Sequence, residues 1–323
     1  MKQTVSILVP VYNVENYVGK CLDSLLAQTW PDIEIVLIND GSTDSSLQIC
    51  EDYARKHSNI HIYSYPNNGI SRTRNRALSH ASGEFIMFVD SDDFIDPEMI
   101  STMMETINRE NLDLVQCGFR MDYRFFTLYR PGSGRGCWDN ITALQMLAKG
   151  KKFNNYPWGK ITRKSCFDGV AFPEDMPGFE DTYTIFKSFA NAKRVGTIPN
   201  RFYHYVQRRG SLTNRMSLQT VYLMRKAYSY QEDYLKNRFP DETFSFDLAQ
   251  YNTDMVIIYT LIVFCHRKDH ARFVKGPVNW EKIPLILKAA YQAWLGIAVL
   301  KLGTGILRQD QGQSKGKMND QKS

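Results

Sequence analysis

Three carboxylates stand close together in the chain, at Asp90, Asp92 and Asp93. They follow the apolar run 85–89, which is typical of a buried strand. The acids are therefore expected at the carboxyl end of that strand, where open α/β sheets hold ligands. Carboxylates crowded there repel one another unless a cation or a donor-rich ligand compensates them. Mg²⁺ and Mn²⁺ prefer such oxygen ligands and can carry the charge of a leaving diphosphate. The alternative is a solvated turn that caps the next helix.

The first predicted strand, 4–10, helps to exclude two common types of phosphate site. A dinucleotide fold needs G-x-G-x-x-G after this strand, and a P-loop needs G-x-x-x-x-G-K. The chain has neither pattern at this place and continues instead with 10–13, Pro-Val-Tyr-Asn. A phosphate held by a glycine-rich first loop is therefore not predicted.

Two further strands lead to polar groups at the same predicted edge. The strand 33–38 is followed by Asp40, a turn glycine and a helix cap. The next strand leads into a helix that carries Arg72, Arg74 and Arg76. Arginines near a helix start suit a diphosphate. Arg72 and Arg76 share one helix face and Arg74 points away from it, so we expect one of the two sets to be only solvated surface.

Four linked motifs resemble the inverting family 2 glycosyltransferases with the GT-A fold, and they cover roughly the first 110 residues. The motifs are 10–13, 39–44, 69–75 and 90–93. Segments 157–160, 179–181 and 205–213 resemble those of bacterial capsule and exopolysaccharide transferases, which extends the likeness to about residue 215. The resemblance implies an α/β GT-A fold, with a Rossmann-like, mostly parallel central sheet flanked by helices and a helical C-terminal extension.

The resemblance also implies a role for each motif. Tyr12 would stack on the base of a nucleotide, expected to be uracil, and Asp40 would accept a hydrogen bond from the ring N–H, as an acceptor-only carboxylate can. Asp93 would bind Mn²⁺ or Mg²⁺, and Trp158 would stack on an acceptor sugar. The remaining residues implied in nucleotide-sugar binding are Pro10, Arg74, Asp90, Asp92 and Arg208. Alternatives stay open for three of these residues: Asp90 as a loop anchor, Trp158 as a core residue, and Arg208 in a solvated surface loop.

Inverting transfer needs a general base to deprotonate the acceptor hydroxyl. A partly buried Asp or Glu with a raised pKa suits this role. The pair Glu180 and Asp181 follows Pro and Gly breakers and begins a helical pattern. The resemblance selects Asp181, with Glu180 in reserve. The alternative is that both acids only complement the amino terminus of the helix.

Composition sets the organisation of the chain. Its 323 residues, 43% of them hydrophobic, can bury a sizeable core. We predict a catalytic and nucleotide-sugar-binding domain at 1–215, a helical region at 216–308 and a disordered polar tail at 309–323. The six cysteines are scattered without metal-binding spacing and are expected to be reduced thiols. No secretion signal is predicted, so we expect a cytoplasmic protein.

Charge is unevenly distributed along the chain. From residue 201 onward there are 19 Lys and Arg against 10 Asp and Glu, whereas the first 200 residues carry a net −3. The apolar runs 255–265 and 283–307 are too short or too interrupted to span a bilayer. An interfacial helix on the anionic inner leaflet is one interpretation, and an amphipathic core or homodimer helix is the other. Nucleic-acid binding is not predicted, because no recognisable module is present.

The leading hypothesis is a metal-dependent inverting glycosyltransferase of bacterial surface polysaccharide synthesis, peripheral on the membrane. It would move a hexose or N-acetylhexosamine from a UDP-sugar to a saccharide acceptor carried on a polyprenyl diphosphate. The alternative is a non-catalytic module, such as an inactive partner subunit, that binds a nucleotide sugar or a glycan. A nucleotidyltransferase is less favoured, because such enzymes usually carry a glycine- and arginine-rich loop after the first strand.

Overall fold

The computed structural model describes residues 3–129, 134–176, 178–208 and 218–263, together with single positions at 281, 285, 288 and 289. The strands are β1 (Val5–Val11), β2 (Ile33–Asp40), β3 (Ile60–Tyr65), β4 (Phe85–Phe88), β5 (Phe94–Ile95), β6 (Leu114–Gln116), β7 (Phe119–Asp122), β8 (Thr127–Tyr129), β9 (Gly136–Asp139), β10 (Lys160–Arg163), β11 (Arg194–Thr197) and β12 (Tyr203–Val206). The α-helices are α1 (Val18–Leu26), α2 (Ser46–Lys56), α3 (Ile70–His80), α4 (Met99–Glu110), α5 (Asn140–Ala148), α6 (Glu180–Asn191), α7 (Leu218–Arg238) and α8 (Asp247–Val263).

The central sheet has the strand order β3-β2-β1-β4-β10-β6-β11-β9. The first four strands are mutually parallel, and β6 and β11 run in the same direction. Among the described strands of this sheet, only β10 and β9 run antiparallel to their neighbours. The mostly parallel α/β sheet predicted from the sequence is therefore confirmed.

Helices cover both faces of this sheet, because the buried strands carry apolar side chains on both sides. Along β1, Val5, Ile7 and Val9 pack in one core cluster with α1 and α4. Leu8 points the other way and packs in a second cluster with α3, α5 and α6. In α1 the buried residues are Val18, Cys21, Leu22 and Leu25, the spacing of one helix face.

A smaller sheet with the order β5-β12-β7-β8 was not predicted from the sequence. Its strands have two to four residues, too few for a clear alternating pattern. The smaller sheet matters for the site, because β12 lies next to the acid-rich loop after β4. The five cysteines in the described part of the chain carry free thiols, as expected.

Contacts divide the chain into two units, one of Met1–Arg215 with Lys226–Ala249 and the other of Met216–Arg225 with Gln250–Ser323. The division that we predicted at residue 215 stays a prediction. None of the described helices is long and apolar enough to cross a membrane. The predicted interfacial helix at 283–307, apart from three single positions, and the polar tail lie outside the described residues.

Candidate active site

The carboxyl ends of β2, β1 and β4 lie side by side at one edge of the sheet, because these strands are neighbours and parallel. This edge brings together residues far apart in sequence. Tyr12 follows β1, Asp40 ends β2, and Asp90 follows β4. Pro10 is buried within β1, whereas the Tyr12 ring is 47% exposed and accessible to a planar ligand.

The loops after β1 and β2 hold each other in place. Asn13 has a left-handed backbone, with φ of 49°, and its Oδ1 accepts a hydrogen bond from the Thr43 N–H at 2.8 Å. The Val14 N–H donates to the Ser46 Oγ, also at 2.8 Å. These contacts fix the backbone on either side of the Tyr12 ring.

Asp40 is buried and holds the loop that leads into α3. Its Oδ1 accepts from the Asn68 N–H and its Oδ2 from the Gly69 N–H, each at 2.9 Å. Gly41 is required beside it, because its φ is +71° and a Cβ would lie 2.7 Å from the Asn67 nitrogen. Each oxygen of Asp40 keeps a second lone pair that can accept a further hydrogen bond. The predicted contact of Asp40 with a base stays a prediction.

Two of the acids after β4 are paired with arginines from other parts of the chain. Asp90 accepts from the Arg74 Nη2 at 3.2 Å, and Asp92 accepts from the Arg208 Nε at 2.6 Å. Two arginines therefore neutralise the negative charges of Asp90 and Asp92, a role that we expected a cation or a ligand to fill. Arg208 ends the described part of its loop, and residues 209–213 of the predicted basic loop lie outside the described residues.

Asp93, the predicted metal ligand, is only 1% exposed. It accepts a hydrogen bond from the Tyr203 hydroxyl at 2.7 Å and from the Val206 N–H at 2.8 Å. Burial, together with the negative charges of Asp90 and Asp92, raises the pKa of Asp93 well above its ordinary value. Sequence analysis missed Tyr203, since alternation along the strand does not show which tyrosine faces the acids.

Arg74 is buried and joins two acids from distant parts of the chain. Its Nη1 donates to the Glu180 Oε1 at 2.5 Å and its Nη2 to Asp90. Its Nε is buried and has no hydrogen-bond partner among the described residues. Arg74 is therefore part of the site.

The expectation that the other helix face is only solvated surface holds for Arg72 but is wrong for Arg76, whose side chain is 21% exposed. Arg72 is partly exposed and pairs with Glu174 at 2.7 Å. The Arg76 guanidinium lies over the Tyr65 ring, 4.1 Å from its centre. Arg72 is thus a surface residue, while Arg76 covers an aromatic ring at the sheet edge.

Asp181 is the second residue of α6, and the helix begins directly after Phe179, which has a left-handed φ of 61°. Its Oδ1 accepts from the Thr182 N–H at 2.6 Å. Burial first, and then the charge of Glu180, raises the pKa of Asp181 to about 6, although Arg74 opposes this effect. A carboxylate with that pKa can accept a proton near neutral pH. Glu180, the reserve candidate, is engaged by Arg74.

Trp158 does not fit the predicted stacking on an acceptor sugar. Its ring is buried between the rings of Tyr156 and Tyr203, with centroid distances of 4.5 and 4.4 Å and nearly parallel planes. Both faces are therefore covered, which corresponds to the core role left open above. Tyr156, at the outer end of this stack, is 40% exposed. Gly159, the residue after Trp158, has a φ of +70°, a conformation that glycine adopts without strain.

Lys160 is a buried residue of the site that sequence analysis did not select. Its Nζ donates to the Asn154 Oδ1 at 2.8 Å and to the Tyr156 carbonyl at 2.7 Å, and thereby fixes the loop that carries Tyr156. Burial lowers the pKa of Lys160 to about 7, and the charge of Asp181 acts in the opposite direction. Burial, and then the negative charge of Asp181, raises the pKa of Tyr228.

A divalent cation fits this edge by the chemistry of its donors. Within the described ranges, no three His, Cys, Asp or Glu side chains form a metal-binding group. Mg²⁺ on a nucleotide usually takes only one or two carboxylates, with phosphates and water as its other ligands. Asp93 supplies such a carboxylate, but both of its oxygens already accept hydrogen bonds, so its predicted contact with a cation stays a prediction.

Comparison with known proteins identifies the family of the chain. The sequence model described as "Glycosyl transferase family 2" matches residues 6–171. The uncharacterized glycosyltransferase EpsJ of Bacillus subtilis (strain 168) is 35% identical over 65% of this chain and 62% of its own length. The poly(ribitol-phosphate) beta-N-acetylglucosaminyltransferase TarS of Staphylococcus aureus (strain Mu50) is 31% identical over 63% of this chain and 35% of its own. The chain thus matches less than two thirds of either relative.

Two solved structures share the fold. The crystal structure of S. aureus TarS 1-349 in complex with UDP-GlcNAc has a TM-score of 0.60 and 24% identity, over 91% of this chain and 80% of that one. The mannosyltransferase PcManGT from Pyrobaculum calidifontis, in complex with GDP-Man and Mn²⁺, has a TM-score of 0.53 and 14% identity, over 92% and 80%. The fold is thus of the GT-A type, and the family match covers half of the chain. The protein belongs to glycosyl transferase family 2.

Proposed function

We propose that this protein transfers a hexose or N-acetylhexosamine from a UDP-sugar to a saccharide acceptor, with inversion and with the help of a divalent cation. The observation that carries the proposal is Asp181, a partly buried carboxylate held beside the Arg74, Glu180 and Asp90 network. A base with a raised pKa next to the strand ends that would hold the donor is the arrangement that inverting transfer needs.

The donor would lie along the edge formed by β2, β1 and β4. We propose that the Tyr12 ring stacks on the uracil and that Asp40 accepts from its ring N–H. Asp92 and Arg208 would contact the ribose and diphosphate. The buried, unpartnered Nε of Arg74 would donate to the donor. Asp92 and Asp93 would hold Mn²⁺ or Mg²⁺, which when bound supplies positive charge for the leaving diphosphate.

The acceptor would lie on the side of Asp181 that faces away from the donor. The exposed ring of Tyr156 offers an apolar face for a sugar in place of Trp158, and Lys160 holds the loop of Tyr156. Asp181 would take the proton of the attacking hydroxyl. We further propose that the acceptor is lipid-linked and used in surface polysaccharide synthesis, in line with the resemblance to capsule transferases.

Nucleotide release from a panel of UDP-sugars, with and without Mn²⁺, tests the proposal. The name of the relative TarS makes UDP-GlcNAc the first donor to try. Because a cation contributes several kcal/mol to stabilising the leaving group, we expect Asp92→Asn and Asp93→Asn to lower turnover at least about 100-fold. Glu110→Gln, which removes an exposed carboxylate on α4, is the matched control and should retain full activity.

Turnover that is independent of metal and insensitive to both substitutions would refute the proposed cation site. If no donor turned over, even with lipid-linked saccharides present, while UDP still raised the melting temperature, the alternative of a non-catalytic binding module would be correct.

The pKa of Asp181 predicts the pH dependence of transfer. The base acts only when deprotonated, so kcat/KM should be constant above about pH 6 and fall tenfold per pH unit below it. Glu180→Gln removes a negative charge that raises this pKa, so the inflection should move to lower pH. Profiles of both proteins with one soluble acceptor measure the shift. An inflection that stays in place in Glu180→Gln would show that Asp181 does not control the profile.

A further inference from the structure

The hairpin formed by β7 and β8 exposes a cluster of large apolar side chains at the edge of the smaller sheet. The exposed fractions are 85% for Phe125, 56% for Phe126, 48% for Leu128 and 64% for Tyr129. Scattered exposed apolar residues need no explanation, but four large ones within five positions of one hairpin indicate an interaction site. The donor and acceptor sites proposed above do not use this hairpin.

Aromatic and cationic groups are combined at its tip. The rings of Tyr123 and Phe126 stack with a centroid distance of 4.6 Å, and the Arg124 guanidinium lies 5.1 Å from the centre of the Phe125 ring. Rings that lie beside an arginine suit the boundary between lipid headgroups and acyl chains, where one part of the structure is wet and the other apolar.

The charge of this region favours an anionic surface. At the base of the hairpin, Arg120 pairs with Asp96, and Asp122 contacts His204. The tip keeps the charge of Arg124. In sequence, 119–135 contains four arginines and one acid, a net +3. Basic groups beside apolar anchors are attracted to anionic lipids.

The size of the patch argues against a stable dimer contact. At 150–250 Å² for a fully exposed large side chain, the four exposed side chains present about 500 Å² in total, and Leu128 and Tyr129 point to opposite faces of the strand. A stable protein interface buries about 800 Å² on each partner. A few aromatic anchors with cations are sufficient for reversible attachment to a bilayer surface.

We propose that the tip of the β7–β8 hairpin inserts into the interface of an anionic lipid bilayer. Strand β7 pairs with β12, and β12 supplies the Tyr203 hydroxyl and the Val206 N–H that hold Asp93. The anchored hairpin is therefore one strand away from the candidate active site. This surface is separate in sequence from the interfacial helix predicted at 283–307. The proposed attachment does not depend on the transfer reaction.

Co-sedimentation of the full chain with phosphatidylglycerol–phosphatidylcholine vesicles tests the proposal. Phe125→Ser/Phe126→Ser should lower the partition coefficient about 10- to 100-fold, and Arg124→Glu should lower it on anionic vesicles more than on neutral ones. Leu248→Ser removes another half-exposed apolar side chain and should leave partition unchanged. Unchanged melting temperatures would confirm that the variants fold. A second membrane-binding segment would not hide the effect, because independent contributions multiply the partition coefficient.

Amide hydrogen exchange locates the contact directly. Exchange in 119–129 should slow when vesicles are added and should not change with protein concentration in their absence. Equal partition of wild type and the double variant, with unchanged exchange in 119–129, would overturn the proposal. Protection that instead rises with protein concentration, together with a dimer in sedimentation velocity, would assign the patch to a second copy of the chain and would also overturn it.

Discussion

Asp181→Asn should lower kcat by about 10²- to 10⁴-fold, the usual contribution of general base catalysis. Asparagine has almost the same shape as aspartate, and its Oδ1 can still accept from the Thr182 N–H, so α6 should keep its start. It cannot take the proton of the acceptor hydroxyl. UDP-sugar binding should be nearly unchanged, because we place the donor at the strand ends and not on Asp181.

The measurement is single-turnover transfer, with UDP binding followed separately by calorimetry. Glu180→Gln is the neighbouring control, and because Glu180 pairs with Arg74 we expect a smaller loss of kcat and the shifted pH profile described above. If Asp181→Asn retained more than about a tenth of wild-type kcat while Glu180→Gln lost activity, the base would be Glu180. Loss of UDP binding in Asp181→Asn would instead indicate a structural role.

Arg74→Met should destabilise the protein by about 3–5 kcal/mol, the usual result of removing one partner from a buried ion pair. Arg74 is the cation between Asp90 and Glu180, and it is almost fully buried. Without it, two carboxylates would face each other in a poorly solvated site. Protonation of a carboxylate relieves that repulsion. The loss of stability in Arg74→Met should therefore decrease as the pH falls towards the raised pKa of Asp90.

Arg72→Met is the matched control, since it makes the same substitution two residues earlier on α3. Arg72 pairs with Glu174 at the surface, where ion pairs add little stability. Urea unfolding of both variants at pH 7.5 and pH 5 measures the difference. Equal midpoints for the two variants would show that Arg74 does not neutralise the acids. If Arg74→Met did not fold at all, Arg74→Lys, which keeps one positive charge, should recover part of the stability.

Much of the fold could be predicted from local patterns. Apolar runs located β1, β2 and β4, and the acids that follow β2 and β4 marked the edge of the sheet. These patterns persist in the folded protein because a buried strand or helix face must be apolar whatever its neighbours are. The linked motifs then identified the family, since their order constrains the sheet as well as the site.

The partners of the charged groups could not be predicted in the same way. The sequence showed three acids close together, but not that arginines from α3 and from the segment after β12 would compensate two of them, or that Tyr203 would bury the third. It suggested that Trp158 contacts sugar, whereas Tyr156 and Tyr203 cover both of its faces. Hydrogen-bond partners separated by 16 to 116 residues are set by strand order and loop course, which carry no local signal.

The sequence by itself therefore determined the first parallel strands, the family and the identity of the acidic groups. These follow from periodicity and short motifs, which are properties of neighbouring residues. Only the tertiary structure decided which carboxylates are buried, which arginine lies inside, and that Asp181 has a raised pKa. Those properties depend on desolvation and on charges brought within a few ångströms by distant parts of the chain.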